Sequence, residues 1–122
     1  MTADLASKLA PFGIDYADAI DRYDGNAALY ERLAVKYLSD TRFTSLVAAL
    51  EVDDFDEAYR QAHTLKGVAG NLSLSDLYHT AAFISDALKN GEPELAKSRL
   101  PQLEQAHRQA TKGLELLRDK AL

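Results

Sequence analysis

AHTLKGVAGNL, residues 62–72, reads as the interior of a helix, yet Gly67 and Gly70 fall within one turn of it. A glycine inside a helix costs roughly 1 kcal/mol relative to Ala, so two of them need a reason. The helical reading comes from the flanks. Phe55, Ala58, Ala62, Leu65, Ala69 and Leu72 recur at alternating intervals of three and four, which is the apolar seam of a bundle helix. Asp54, with Glu57 three residues on, makes a capping-box-like start. The spacing predicts a helix from there to about Leu72.

Working outward, every strong period is helical. Leu5, Leu9 and Phe12 share a face that stops at Pro11-Phe12-Gly13. Asp15 is placed to cap a short helix presenting Ala19, Ile20 and Tyr23, and Asn26 to cap a longer one after the turn Asp24-Gly25-Asn26. That longer segment carries Leu29, Leu33 and Tyr37, then Phe43, Leu46, Val47 and Leu50. Ser39-Asp40-Thr41 in its middle prefers caps to helix interiors, which predicts a bend or short break there. Downstream, Ser75 is read as the cap of a helix burying Leu77, Ala81, Ile84 and Leu88 and stopping at Asn90-Gly91. Pro93 opens the last helix, whose face is Ala96, Leu100, Leu103, Ala110, Leu114 and Leu117. Pro101 removes a backbone hydrogen bond, so a kink or restart is expected near Arg99. No alternating β-branched run argues for strands, and Asp24-Gly25 and Asn90-Gly91 adjoin helical periods, not the alternating runs of a hairpin. Short connections imply antiparallel neighbours. The expected fold is all-α: an antiparallel up-and-down four-helix bundle over about residues 26–118, with short additional N-terminal helices in 1–25, forming one domain over 1–122.

Composition narrows the function. The chain has 122 residues, a net charge of -5 and no Cys. The acidic balance and the lack of a dense basic stripe argue against nucleic acid as a partner. Without Cys there is no disulfide frame and no thiolate chemistry. No basic start leads into a long apolar run, and the longest apolar runs, such as Leu46–Leu50, are too short to span a bilayer. A soluble, cytoplasmic monomer with no membrane partner is expected.

His63 sits one residue past Ala62, about 100° round the helix from the seam. Residues three, four and seven away share its face: Lys66, Gly67 and Gly70 ahead, Arg60, Tyr59 and Asp56 behind. One reading of the glycines is access, because a bare surface beyond His63 lets another protein's backbone approach the ring. The other is packing, with the glycines forming a small patch at a helix crossing. His63 is weighed as a structural residue, a metal ligand or a nucleophile. No His-x-x-x-His pair and no Glu-x-x-His repeat supports a metal, so no metal site and no cofactor is expected. An imidazole titrates near neutrality, and its neutral form can attack phosphorus. Lys66 and Arg60, one turn either side, are within reach of the charge of a phosphoryl group. His79 and His107 have no Lys-Gly pair one turn on and are read as structural or solvated.

AHTLKGVAGNL resembles the signature of histidine-containing phosphotransfer (HPt) domains, roughly H-x-L-K-G-x-x-x-x-L-G. GIDYADAIDRYDGNAALYERLAVKYLSD, residues 13–40, looks like the lead-in of that family, and the spacing to LKNGEPELA, residues 88–96, is similar. The resemblance extends from about Gly13 to Leu117. It implies that His63 is the phosphoacceptor, modified on Nε2, that Lys66 assists the phosphate, and that Gly67 leaves room for a receiver domain docking over the ring. The receiver's Asp and its Mg²⁺ would supply the remaining chemistry. One position departs from the pattern: Ser73 stands where the family has Gly, at a helix end that suits a left-handed residue.

The expected function is that of a phosphorelay intermediate. It accepts a phosphoryl group on His63 and exchanges it with an Asp of a receiver domain in a response regulator or hybrid kinase. Tyr59, Arg60, Gly67 and Gly70 form the partner-facing surface. No kinase activity is expected, because no phosphate-cradling G-x-x-x-x-G-K-[ST] loop is present. The alternatives are a helical binding module that docks a receiver or a partner helix without phosphotransfer, and a helical enzyme using His63 as general base. For the latter no convergent second catalytic group is visible.

Overall fold

The computed structural model describes residues 2–122; Met1, the first residue of the expected N-terminal extension, lies outside them. Helices α1 (Thr2–Leu9), α2 (Tyr16–Arg22), α3 (Ala27–Val35), α4 (Arg42–Glu51), α5 (Phe55–Asn71), α6 (Ser75–Lys89), α7 (Pro93–Ser98) and α8 (Leu100–Arg118) follow in order, with 3₁₀ turns at Ala10–Phe12 and Lys36–Ser39. Four arms close the bundle. α4 packs on α5, α5 on α6, α6 on α8, and α8 returns to α3, which with α4 makes one interrupted arm. The break in that arm falls at Lys36–Ser39, where the Ser-Asp-Thr run predicts it. The restart near Pro101 is also present, as a change from α7 to α8 at Arg99.

Side-chain caps set several helix starts. Asp15 Oδ1 accepts from the Asp18 amide at 3.1 Å and Asn26 Oδ1 from the Leu29 amide at 3.1 Å. Asp54 Oδ1 accepts from the Glu57 amide at 3.3 Å, but the reciprocal half of the capping box is missing. The Glu57 carboxylate turns outward instead, to Arg60 and to Gln61 Nε2 at 3.2 Å. The expected Ser75 cap is also corrected. Ser75 is the first helical residue of α6, and Leu74 occupies the cap position with no side-chain bond. Pairing of Leu74 with Ile14 fixes the entry to α6 in place of a side-chain cap.

The core is one contiguous cluster. Ala58, Ala62, Leu65 and Ala69 are fully buried, and Phe55, the outermost residue of the predicted stripe, is half-buried. Leu9, Ile14, Tyr16 and Ala19 belong to the same cluster, so the N-terminal helices share the core of the bundle. Gly113, on the buried face of α8, also has a packing role. A Cβ there would lie 2.7 Å from Phe12 Cβ, so only Gly lets the 3₁₀ turn at Ala10–Phe12 settle on α8.

A polar contact secures the interrupted arm. His107 on α8 stacks on Phe43 with ring centres 3.9 Å apart, and its Nδ1 hydrogen-bonds Tyr37 Oη at 2.8 Å. The structural reading of His107 therefore holds, while His79 is exposed.

Leu65→Ala is expected to lower the unfolding free energy by about 2–5 kcal/mol, as truncation of a buried Leu does. Denaturant titration measures this, and a neutral result would mean that α5 is rotated about its axis with Leu65 off the seam. His107 supplies a pH dependence. Burial lowers its pKa from the ordinary 6.5, with Arg108 in the same direction and Asp40 opposing. The unfolded chain thus takes up a proton first, and stability falls as pH drops below about 6.5. His107→Gln should flatten the slope of stability between about pH 7 and pH 5, and an unchanged slope would show that other groups carry it.

Candidate functional site

α5 has two faces because its period is fixed. With Ala62 and Leu65 at 0% exposure on the seam, His63 is turned out of the bundle, and it is exposed. It is the central residue of the 17-residue helix, far from either end. Tyr59, one turn before it, lies against the imidazole in a stacked arrangement, with ring centres 5.8 Å apart and planes at 26°. That separation is within the range of attractive aromatic pairs.

The two cations flanking His63 differ. Arg60 is engaged by Glu57, with Nε 2.9 Å from Oε1. Those hydrogen bonds from Arg60 and then Gln61 hold the Glu57 carboxyl below its ordinary range. Lys66 forms no ion pair among the described residues and is half-buried, so its ammonium is the one left to meet an incoming anion. Among the described residues no group of three His, Asp or Glu side chains could hold a metal ion.

The two glycines also differ, and each has its own reason. A Cβ on Gly67 would meet nothing within 4 Å, so no helix packs there and the surface is open. A Cβ on Gly70 would lie 3.1 Å from the Tyr78 ring of α6, so this glycine accommodates a neighbour's aromatic side chain. Open surface describes Gly67, and packing describes Gly70. Both border a cleft of about 440 Å³ between α2, α5 and α6, lined also by Arg22, Lys66, Ser73 and His79. The placement of His79 on this wall is one feature the spacing within α5 gives no hint of.

Ser73, just past the end of α5, is in the left-handed conformation, with φ 55°. The Leu74 amide donates to the Ala69 carbonyl at 2.9 Å and the Ser73 amide to the Gly70 carbonyl at 3.2 Å, the two bonds of a Schellman turn. The turn geometry normally favoured by Gly is therefore kept with Ser in place.

Alanine at the two glycines separates their roles. Gly67→Ala should stabilise the chain by up to about 1 kcal/mol, the helix-propensity gain with nothing opposing it. Gly70→Ala should gain less, because the Tyr78 ring has to shift. Thermal melts of the two variants check this, and a larger gain at Gly70 would contradict the assignment.

A comparison with protein-family models matches the Hpt domain over residues 38–113, more than half of the chain. The matched region begins within the 3₁₀ turn of the interrupted arm and ends in α8, so it contains all of α5 and the whole face around His63. No curated protein and no solved structure matches the chain in the corresponding searches. With the signature on the exposed face of the central helix of an all-α bundle, the chain belongs to the Hpt domain family.

Proposed function

We propose that this chain is a phosphorelay intermediate that carries a phosphoryl group on His63 and exchanges it with an Asp of a receiver domain. The observation that carries the reading is the exposed imidazole at the midpoint of α5, with open surface over Gly67 one turn away. In the accepting direction, the Nε2 lone pair of neutral His63 forms an N–P bond as the P–O bond to the partner's Asp breaks and the carboxylate leaves. Transfer onward is the reverse. Lys66 stabilises the charge spread over the phosphoryl oxygens in passage. Tyr59 holds the ring from the N-terminal side, and Gly67 lets the partner's backbone come close. Arg60 adds to the partner-facing surface while paired with Glu57.

Mg²⁺ is expected with the receiver, whose carboxylates would hold it; the described residues around His63 offer no such set. On this reading the chain has no kinase activity of its own and works in the cytoplasm as a monomer. Among the described residues no helix is long and apolar enough to cross a membrane. A binding module without phosphotransfer would dock the same face but would need neither the free ammonium nor the exposed ring.

Incubation with a phosphorylated receiver tests the reading. Acid-labile, base-stable phosphate should appear on the chain and be absent from His63→Gln. Lys66→Ala should transfer more slowly or hold its phosphate for a shorter time, with an unchanged melt. Gly67→Gln should be at least as stable as the parent yet lose transfer with the receiver, while a small phosphodonor still modifies His63. Receiver binding without label on the parent would favour the docking module instead.

A further inference from the structure

The C-terminal end of α5 is fastened by a segment that lies outside the family match. Tyr23 Oη donates to the Asn71 carbonyl at 3.1 Å, and the buried Tyr30 Oη to the Leu72 carbonyl at 2.6 Å. The Asp15 amide donates to the Ser73 carbonyl at 2.9 Å. These carbonyls lie at and just past the end of α5, where the backbone has no intrahelical partner. The fourth bond runs the other way, from Ser73 Oγ to Asp18 Oδ2 at 2.7 Å.

Ser73 needs that bond more than an ordinary serine would. It is 3% exposed, so its hydroxyl has lost water, and its φ of 55° is one that residues with a Cβ rarely adopt. Glycine at this position would need neither an acceptor nor compensation for the backbone. Asp18 supplies a charged acceptor, and the hydrogen bonds from Arg22 and then Ser73 hold its carboxyl below the usual range, so it stays ionised near neutral pH. The same turn forms one wall of the cleft beside His63. α2 forms another through Arg22, and Lys66 and Gly67 form a third.

We infer that the Asp18–Ser73 hydrogen bond is a latch by which the N-terminal segment holds the wall of this cleft in shape for the receiver, making Asp18 and Ser73 positioning residues. The inference rests on the phosphotransfer reading. A partner that reaches His63 over Gly67 lies against the cleft, and a wall already in place spares it the ordering of a loose turn. With the latch cut, the end of α5 frays more readily toward Gly67 and Lys66, because local opening starts where fixing contacts are fewest. The imidazole at mid-helix is untouched.

The test is a cycle of three variants, Asp18→Ala, Ser73→Gly and the two together. Asp18→Ala leaves a buried hydroxyl without its acceptor at a strained backbone position. It should lower the melting temperature by roughly 4–8 °C and raise the receiver concentration at half-maximal transfer about threefold or more. Its maximal transfer rate and the labelling of His63 by a small phosphodonor should stay at the parent's level. Because Gly at φ 55° relieves the backbone by itself, Ser73→Gly alone is the reference for the double variant. In that background Asp18→Ala should move the melt and the half-saturation clearly less than it does in the parent. The smaller effect cannot come from the Asp18–Arg22 pair, which Asp18→Ala removes in both backgrounds. An equal effect of Asp18→Ala in the two backgrounds, or an unchanged half-saturation in Asp18→Ala, overturns the inference. A parallel loss of small-donor labelling overturns it too, because the turn would then act on the imidazole itself. If Asp18→Ala does not fold, folding of the double variant supports the latch and its failure to fold refutes it. A parent that no donor labels would instead defeat the phosphotransfer reading.

Discussion

Everything in this structure depends on the rotational register of α5. Its seam of Ala58, Ala62, Leu65 and Ala69 is completely buried between α4 and α6. Three of those four residues are Ala, so the neighbouring helices come close and little rotation of α5 is tolerated. A turn of about 100° would bring His63 into the core and expose the seam. The cost of burying an imidazole without partners and of losing Leu65 from the core keeps that arrangement away. The exposure of His63 is thus a consequence of packing on the opposite side of the same helix.

Two arrangements then shape the outer face around His63. On the approach side of His63 the helix is open over Gly67, at a cost in helix propensity that the seam absorbs. On the other side Tyr59 lies against the ring. The charges are graded as well. Arg60 is occupied by Glu57, and Lys66 remains for an anion on a chain whose net charge is -5. A cation kept free on an acidic protein offers a small anionic group a local attraction without a general affinity for polyanions.

Much of this was legible in the sequence because it is local. The three-four spacing of the seam, the Asp15 and Asn26 caps, the break at Ser39-Asp40-Thr41 and the restart at Pro101 all depend on neighbours within a turn or two. Features that join distant segments were not legible. His107 meets Tyr37 across 70 residues, and Ser73 meets Asp18 across 55. Gly113 is a glycine because of Phe12, and nothing in the α8 pattern announces it. Ser75 has a cap's composition, but Leu74 is tied to Ile14, and that tertiary pairing displaced the local preference. Spacing placed Gly67 and Gly70 on one face, yet their different roles required knowing where Tyr78 lies. The departure at Ser73 read as a poor fit for a left-handed turn, and its remedy sits in a helix far upstream.

Phosphotransfer through this chain requires that one imidazole among three takes the phosphoryl group. The most direct measurement is ¹⁵N–¹H correlation of the histidine rings before and after treatment with a small phosphodonor. Only the His63 ring is expected to change, with Nε2 as the substituted nitrogen, while His79 and the Tyr37-bonded His107 keep their resonances. Phosphorylation of His79 or His107, or no change at any ring under conditions that label a known phosphoacceptor, would contradict this.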